Sequence, residues 1–370
     1  MARIAVLHNT LDFRGGADAV CVHTCAALAE SHDVTLFTVS QSNPAAVAAQ
    51  FDVDLDVQVA APPGATAIAT GFSILAPAMG PQLAARSVLL SAFFRRHADA
   101  FDLAVSTANE LSLPLPSVQY VHFPQFNLER TDAGDSGRLD GLWSHLAAPT
   151  GPELERNVCL LANSSWTADV VADIYGHRPA VCHPPVDPIE GKPWEEREPG
   201  IVVLGRIAPD KRTLDAIHVV DGLQEAGYDV SCTIVGSAPS AYRNYVSRVR
   251  TAVSERPYVS LETDVSRQRI RNLLGRNRYG LNAKPDEHFG MAVAEYVAAG
   301  MFALAPDEGG QVDVLDGDET HLFSDIDEAT ALLGAAIDAD RRPTRPRNRF
   351  GRERFADEIR AHVAAVLTRG

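Results

Sequence analysis

The sequence IAVLHNTLDFRGGADAVCVHTCAALAESHDVTLFTV, residues 4–39, decides the fold class. An apolar run over residues 4–8 leads into a turn that ends at Gly15 and Gly16, and a stretch of helical composition and a second apolar run follow. Strand, glycine loop, helix and strand in this order begin a parallel α/β sheet. The loop lacks the G-x-G-x-x-G pattern of dinucleotide-binding folds, which argues against a nicotinamide-dependent oxidoreductase.

A second unit of the same kind occupies the other half of the chain. A Pro- and charge-rich passage, residues 184–199, is predicted to be an interdomain linker, and strand and helix patterns alternate after it. Because 370 residues exceed the size at which one core stops growing, we predict two domains, at residues 1–188 and 199–350. An amphipathic helix at about 352–370 either completes the second domain or packs back on the first.

The composition narrows the class of protein. The formal net charge of −15 argues against a nucleic-acid partner. No apolar run reaches the ~18 residues of a membrane span, and the N-terminus runs straight into a strand pattern, so a cytoplasmic location is expected. The five cysteines include no C-x-x-C pair, and no metal site is predicted. Lysine is scarce, since only Lys192, Lys211 and Lys284 occur.

Two cations follow the strand pattern that opens the second domain. Arg206 and Lys211 lie in the loop Gly205-Arg206-Ile207-Ala208-Pro209-Asp210-Lys211, at a strand's carboxyl end. Transfer of a sugar from a nucleotide diphosphate needs such cations, because negative charge develops on the departing diphosphate. An ordinary surface loop carrying Arg and Lys remains the alternative.

A pair of acids eight residues apart spans the start of a predicted helix. The sequence E-H-F-G-M-A-V-A-E covers residues 287–295, and the helix N-terminus within it offers free N–H groups to phosphate oxygens. Glu287 could accept hydrogen bonds from sugar hydroxyls, and Glu295 could reach a ribose diol. Alternatively, Glu287 caps the helix and Glu295 is a solvated surface acid.

Two further features are ambiguous when taken alone. The glycine pair Gly309-Gly310 would let the backbone approach a phosphate closely, but a plain turn fits equally well. His122 ends a strand pattern and is expected to point towards the cleft between the two domains, although an isolated histidine more often has a structural role.

Together, these motifs resemble family 4 glycosyltransferases. The matching pieces, in the family's order, are Gly15-Gly16, His122, Asn163-Ser164, Pro184-Pro185-Val186-Asp187, Gly205-Arg206 with Lys211, Glu287-x-Phe289-Gly290 through Glu295, and Gly309-Gly310. The resemblance implies an α/β fold of GT-B architecture, two Rossmann-like domains facing a central cleft. It also implies retention of anomeric configuration, no divalent metal, and no cofactor besides the nucleotide-sugar substrate.

The resemblance also implies a role for each matching residue. Arg206 and Lys211 would bind the donor diphosphate, Glu287 the transferred sugar, and Glu295 the nucleotide ribose. His122 would contact the sugar near the reacting centre. The remaining donor-binding residues would be Gly15, Gly16, His288, Phe289 and Gly290, of which Phe289 and Gly290 would lend backbone donors.

Finer features look like mannosyltransferases that extend polyprenol-linked oligosaccharides. These are His288, the string Tyr120-Val121-His122-Phe123-Pro124 and the pair Pro184-Pro185. The resemblance therefore favours GDP-mannose as the donor, with a UDP-sugar as the alternative, and a glycan or polyprenol-linked acceptor. Two positions depart from the family, since Asp18 replaces the common Glu and Gln311 the usual Pro.

Residues 72–97, apolar with arginines, could form an interfacial helix that contacts the inner membrane face.

Two other functions remain compatible with the sequence. One is a sugar-nucleotide epimerase or glycan phosphorylase of the same fold. The other is a noncatalytic nucleotide-sugar-binding partner of another transferase.

Overall fold

A computed structural model describes residues 1–79, 83–126, 149, 153–154 and 158–369. The chain divides into two compact units, residues 1–185 with 352–370, and residues 186–351. Each unit is built on its own parallel sheet, and the predicted α/β class is confirmed.

The first unit has a seven-stranded sheet in the order β3-β2-β1-β4-β5-β6-β7. Its strands are β1 (Arg3–His8), β2 (Asp33–Thr38), β3 (Gln58–Ala60), β4 (Leu103–Ser106), β5 (Ser117–Val121), β6 (Val158–Ala162) and β7 (Ala180–Val181). The helices of this part are α1 (Gly16–Ala29), α2 (Pro44–Ala48), α3 (Ala65–Met79), α4 (Leu83–Phe94) and α5 (Ser165–Tyr175). Neighbouring strands are parallel throughout.

Both faces of this sheet are buried. Successive residues of β1 enter different apolar clusters, Ile4 and Val6 one and Ala5 and Leu7 the other. Side chains alternate between the faces of a strand, so a strand covered on both sides needs a continuous apolar run. This is why the pattern at the start of the chain predicts a parallel sheet.

The second unit has a six-stranded sheet in the order β10-β9-β8-β11-β12-β13. Its strands are β8 (Glu198–Leu204), β9 (Cys232–Gly236), β10 (Val259–Thr263), β11 (Asn277–Leu281), β12 (Phe302–Pro306) and β13 (Leu322–Phe323). Its helices are α6 (Thr213–Glu225), α7 (Arg243–Ser254), α8 (Arg267–Arg276), α9 (Met291–Ala299), α10 (Gln311–Val314) and α11 (Ile326–Asp338). In both units the order reverses after the first strand, which is the doubly wound Rossmann pattern.

The C-terminal helix α12 (Arg352–Leu367) belongs to the first unit. Its apolar face, Phe355, Ile359, Val363 and Val366, is buried in the same cluster as strands β1 and β5. The helix therefore packs back across the chain instead of completing the second unit.

The Pro- and charge-rich passage spans the division between the two units, which falls between Pro185 and Val186. After that point Val186, Ile189 and Trp194 are buried in the apolar clusters of the second unit. Proline limits regular strand pairing but does not prevent its neighbours from packing, so most of the predicted linker also contributes to the second unit's core.

The apolar stretch 72–97 also differs from expectation. Arg86, one of the arginines in this stretch, is 2% exposed and does not lie on an interfacial surface. Its guanidinium donates to Thr10 Oγ1 at 3.0 Å and to the Val39 carbonyl at 2.7 Å, and so ties the loops after β1 and β2 together. Ile74 and Leu89 are exposed, so apolar surface remains on α3 and α4. Within the described ranges, no helix combines the length and the apolarity needed to cross a bilayer.

Candidate active site

Two loops of the second unit lie side by side because their strands are neighbours. Strand β8 pairs with β11 in parallel, with Ile201 opposite Tyr279, so both strands end at the same edge of the sheet. The strand order reverses between them, and open α/β sheets bind ligands at that point. The loop after β8 carries Arg206 and Lys211, and the loop after β11 carries Glu287.

Opposite charges from the two loops meet in what we call the cation cluster: Arg206, Asp210, Lys211, Lys284 and Glu287. Lys211 Nζ forms an ion pair with Glu287 Oε1. Lys284 Nζ lies 3.9 Å from Glu287 Oε2 and 3.9 Å from Asp210 Oδ2, and Arg206 Nη2 lies 3.2 Å from Asp210 Oδ2. Three cations face two carboxylates, so the cluster carries an excess positive charge.

Burial makes these charges depend on one another. The side chains of Lys211, Lys284 and Glu287 are 24%, 19% and 14% exposed. A charge withdrawn from water is costly unless a partner compensates it. Lys284 was not among our predicted site residues, and its position shows that two of the chain's three lysines serve this cluster. The scarcity of lysine is visible in the sequence and is a signal that could have directed attention to Lys284.

The glycine pair Gly309-Gly310 supports Glu287 directly. Gly309 has a φ of +80°, and a Cβ there would lie 2.6 Å from the Glu287 nitrogen and oxygen. Gly310 N donates to the Glu287 carbonyl at 2.6 Å. The glycines thus let the chain approach the backbone of its own Glu287 loop, an outcome that neither of our two interpretations described.

Gln311 locks the same two loops together. It is fully buried, and its Nε2 donates to the Lys284 carbonyl at 3.0 Å and the Glu308 carbonyl at 2.9 Å. Its Oε1 accepts from Asn282 Nδ2 at 2.6 Å. The proline usual in the resembling family could make none of these side-chain contacts, so the departure at this position fixes the loop in a different way.

Glu295 is not a solvated surface acid. Its side chain on α9 is 9% exposed, and Oε1 accepts from Arg267 Nη2 at 2.6 Å. Its other oxygen, Oε2, is buried and has no hydrogen-bond partner in the described part of the chain. A buried acceptor without a donor is rare in folded proteins and needs an explanation, such as a ligand hydroxyl.

Helix α9 begins without a side-chain cap. Its N-cap is Gly290, with a φ of +96°, so Glu287 does not cap the helix. Phe289 is 3% exposed and packs edge-on against Phe350, which anchors the turn before the helix. The first-turn N–H groups consequently face the end of the loop that carries Glu287.

His288 is neutral at physiological pH. Burial, followed by the ammonium groups of Lys284 and Lys211, lowers its pKa to about 3. The imidazole therefore adds hydrogen-bonding capacity to the loop without adding charge.

The first unit holds the other predicted site residues. Gly15 is the N-cap of α1, and its N–H donates to Asp18 Oδ2 at 3.1 Å. A Cβ at Gly15 would meet nothing within 4 Å, so no contact within the protein demands glycine there. Gly16 begins the helix. The Asp18 carboxylate, at a position where the family commonly has Glu, thus fixes the glycine loop by accepting its backbone N–H.

A buried pair behind this loop was not foreseen. His8 Nε2 lies 3.0 Å from Asp18 Oδ1, and His8 Nδ1 lies 3.0 Å from the Thr107 carbonyl. Burial opposes the charge of His8, but Cys21 and the Asp18 carboxylate outweigh it and raise its pKa to about 9. Sequence spacing could not reveal this pair, because the glycine loop separates its members.

His122 stands at the carboxyl end of β5, as predicted. Its Nε2 lies 3.2 Å from the same Thr107 carbonyl that His8 contacts, and Asn109 Oδ1 accepts from its backbone N–H at 2.7 Å. In the structure the ring is therefore held by the first unit's own backbone. The second unit brings together Arg206, Lys211, Glu287 and His288, whereas Gly15, Gly16 and His122 belong to the first unit.

Comparison with known proteins agrees with this geometry. Residues 189–353 match the family described as glycosyl transferases group 1. The chain is 24% identical over 315 residues to GDP-Man:Man(3)GlcNAc(2)-PP-Dol alpha-1,2-mannosyltransferase of Neurospora crassa, covering 70% of this chain and 57% of the relative. The mouse protein of the same name is 25% identical over 54% of this chain and 46% of its own length. The chain thus spans about half the length of the curated relatives it matches.

Solved structures resemble the whole chain. The Anabaena protein HepE in complex with UDP and glucose has a TM-score of 0.69 at 14% identity, covering 99% of this chain and 100% of its own. A glycosyltransferase from Rickettsia africae has a TM-score of 0.67 at 13% identity, covering 100% and 99%. Residues 189–353 therefore resemble a glycosyl transferases group 1 domain, and the chain has the GT-B fold of the solved glycosyltransferases, as its ordered motifs predicted.

Proposed function

We propose that the chain is a retaining, metal-independent glycosyltransferase that moves a hexose from a nucleotide diphosphate sugar to a glycan or lipid-linked glycan acceptor. Our leading donor is GDP-mannose. The observation that carries the proposal is the ion pair between Lys211 and Glu287, formed by two loops at the reversal point of the second sheet.

The chemistry requires charge compensation at one end of the donor. Transfer breaks the bond between the anomeric carbon and the diphosphate oxygen, and negative charge develops on the departing diphosphate. Arg206 and Lys211 stabilise that charge in place of a metal ion. The first-turn N–H groups of α9, with those of Phe289 and Gly290, add oriented dipoles of the same sign.

Each partner of the Lys211–Glu287 ion pair has a second role when the donor binds. When the diphosphate takes Lys211, the Glu287 carboxylate is released and becomes an acceptor for the hydroxyl groups of the transferred sugar. His288, being neutral, can donate to or accept from the sugar without competing for the phosphates. The unpartnered Glu295 Oε2 accepts from the ribose diol. The resemblance also assigns Gly15, Gly16 and His122 to the donor, and we retain these roles as part of the proposal.

Donor and acceptor are inferred from the relatives. The names of the curated relatives specify GDP-Man and a dolichol-linked glycan, whereas the solved HepE structures contain UDP or UDP-glucose. We favour the former because sequence similarity is higher there. A polyprenol-linked acceptor would bring the protein to the cytoplasmic face of a membrane, where the exposed Ile74 and Leu89 could touch lipid.

A thermal-shift panel in EDTA tests the proposal. Because a ligand that binds only the folded state raises the melting temperature, GDP-mannose should raise it more than UDP-glucose or ADP-glucose does. A larger shift with UDP-glucose would overturn the donor, and no shift with any of them would overturn the function. Incubation of the best donor without acceptor should leave it unchanged, since an epimerase would convert it, and adding a polyprenol-linked glycan should then give a product with retained configuration.

A further inference from the structure

Lys284 stands in the cation cluster but is part of no motif that led to the site. It lies in the loop after β11, three residues before Glu287, and its side chain is only 19% exposed. Its ammonium is 3.9 Å from Asp210 Oδ2 and 3.9 Å from Glu287 Oε2. Both distances exceed those of hydrogen bonds, so the two acids attract Lys284 without satisfying its donors.

The donors of Lys284 are not taken up by the protein. Among the described residues its Nζ makes no hydrogen bond, although an ammonium carries three N–H groups. The atom does not belong to the fully buried polar atoms that lack a partner, so its donors are open to water or to a ligand. Lys211, in contrast, contacts Glu287 directly.

The position of Lys284 is fixed from its backbone. Its carbonyl accepts from Gln311 Nε2 at 3.0 Å, and Gln311 itself is fully buried and also bonded to Asn282 and the Glu308 carbonyl. The base of the side chain is therefore fixed, and the attraction of Asp210 and Glu287 directs the ammonium towards the cluster. The remaining lysine of the chain, Lys192, is exposed and offers a comparison.

We propose that Lys284 is a second phosphate-binding lysine, which donates to the phosphate that carries the sugar. Lys211 and Lys284 approach different oxygens of Glu287, the residue proposed to face that sugar. A phosphate placed between the two ammonium groups would give Lys284 the hydrogen bonds that it lacks. The assignment rests on the proposed function, because it takes the diphosphate of a nucleotide sugar as the ligand.

Paired titrations test the assignment with nucleotides that differ in one phosphate. Wild-type protein, Lys284→Met, Lys284→Arg and the control Lys192→Met are titrated calorimetrically with GDP, GMP, UDP and UMP. Lys284→Met should weaken the preferred diphosphate about tenfold, the usual effect of losing one charge-assisted hydrogen bond. It should leave the matching monophosphate within about twofold, whereas Lys284→Arg should restore most of the loss and Lys192→Met should change neither.

Several results would overturn it. Equal weakening of diphosphate and monophosphate, or no weakening of either, would mean that Lys284 only neutralises Asp210 and Glu287. The substitution would then act on stability and lower the melting temperature measured without nucleotide. Loss of affinity for UDP-glucuronate with UDP unaffected would instead make Lys284 a reader of an acidic sugar. If the wild type bound no nucleoside diphosphate, the proposed function would fail together with this inference. If the wild type bound the diphosphate but Lys284→Met weakened diphosphate and monophosphate equally, only the inference would be refuted.

Discussion

Replacing Glu287 by glutamine should change the affinities for the nucleotide and for the nucleotide sugar in opposite directions. The Glu287 carboxylate is ion-paired with Lys211 and lies 3.9 Å from the Lys284 ammonium. A diphosphate that takes these two ammonium groups has to displace the carboxylate first. Glutamine keeps the shape of the side chain and removes its charge, so the displacement becomes easier.

The magnitude follows from distance and exposure. Unit charges about 4 Å apart interact by about 4 kcal/mol at an effective dielectric constant of about 20. Since Lys211 is 24% and Glu287 14% exposed, we discount this for screening and for the carboxylate's retreat, to about 1.4 kcal/mol. GDP should therefore bind Glu287→Gln about tenfold more tightly than it binds the wild type. The sugar hydroxyls lose a charged acceptor worth about 2 kcal/mol, so GDP-mannose should bind about threefold more weakly.

Calorimetry in EDTA at fixed ionic strength would measure both constants. Glu262→Gln is the matched control, because it removes another ion pair of the second unit, to Arg269 at 2.6 Å, and should leave both affinities unchanged. If the thermal-shift panel favours uridine nucleotides, UDP and UDP-glucose replace the guanosine pair. Weaker GDP binding by Glu287→Gln would refute the competition between carboxylate and phosphate. An equal change for both ligands would refute the assignment of Glu287 to the sugar.

Three further substitutions probe the remaining contacts. Glu295→Ala should weaken GDP about tenfold but leave 2′-deoxy-GDP nearly unchanged, and equal losses would disprove the ribose contact. Gly309→Ala should lower the melting temperature and the transfer rate much more than Gly317→Ala does. Both glycines have a positive φ, but only Gly309 abuts the Glu287 backbone, so equal effects would contradict the proposed role of Gly309. The pKa of His8 is about 9 in the folded state against 6.5 in the unfolded state, so His8 adds about 3 kcal/mol of stability below pH 6.5, and this is lost as the pH rises towards 9. His8→Gln should abolish this fall of the unfolding free energy with pH, as measured by urea unfolding. An unchanged pH dependence would exclude His8 as its source.

The fold was predictable because its signals are local. Strands such as β1 and β12 are nearly continuous apolar runs, and the turn between β1 and its helix has its own residue chemistry, so the sequence around Gly15 and Gly16 indicates a doubly wound sheet. Which strands become neighbours also follows general rules of α/β connection. These rules place the loops of Lys211 and Glu287 at one edge of the sheet without any knowledge of their contacts.

The partners of the site residues could not be predicted in the same way. Arg267 precedes Glu295 by a whole strand and loop, and nothing in their spacing pairs them. A glycine that approaches a ligand and one that approaches its own chain both simply lack a Cβ, so the role of Gly309 needed coordinates. Lys284 was missed as well, because the scarcity of lysine does not by itself distinguish Lys284 from Lys192.

The adjacency of the two loops explains why residues that are weak signals singly form a specific set. Strand order reverses between β8 and β11, so the segments that leave these strands diverge, and Lys211 and Glu287 come from opposite sides. Either charge alone, buried at that point, would lack compensation, which favours keeping both or neither. A donor with an anionic diphosphate and a hydroxyl-rich sugar offers a separate partner to each. Lys211 and Glu287 thus stabilise the two loops by pairing with each other, and the proposed donor would separate them by binding each one.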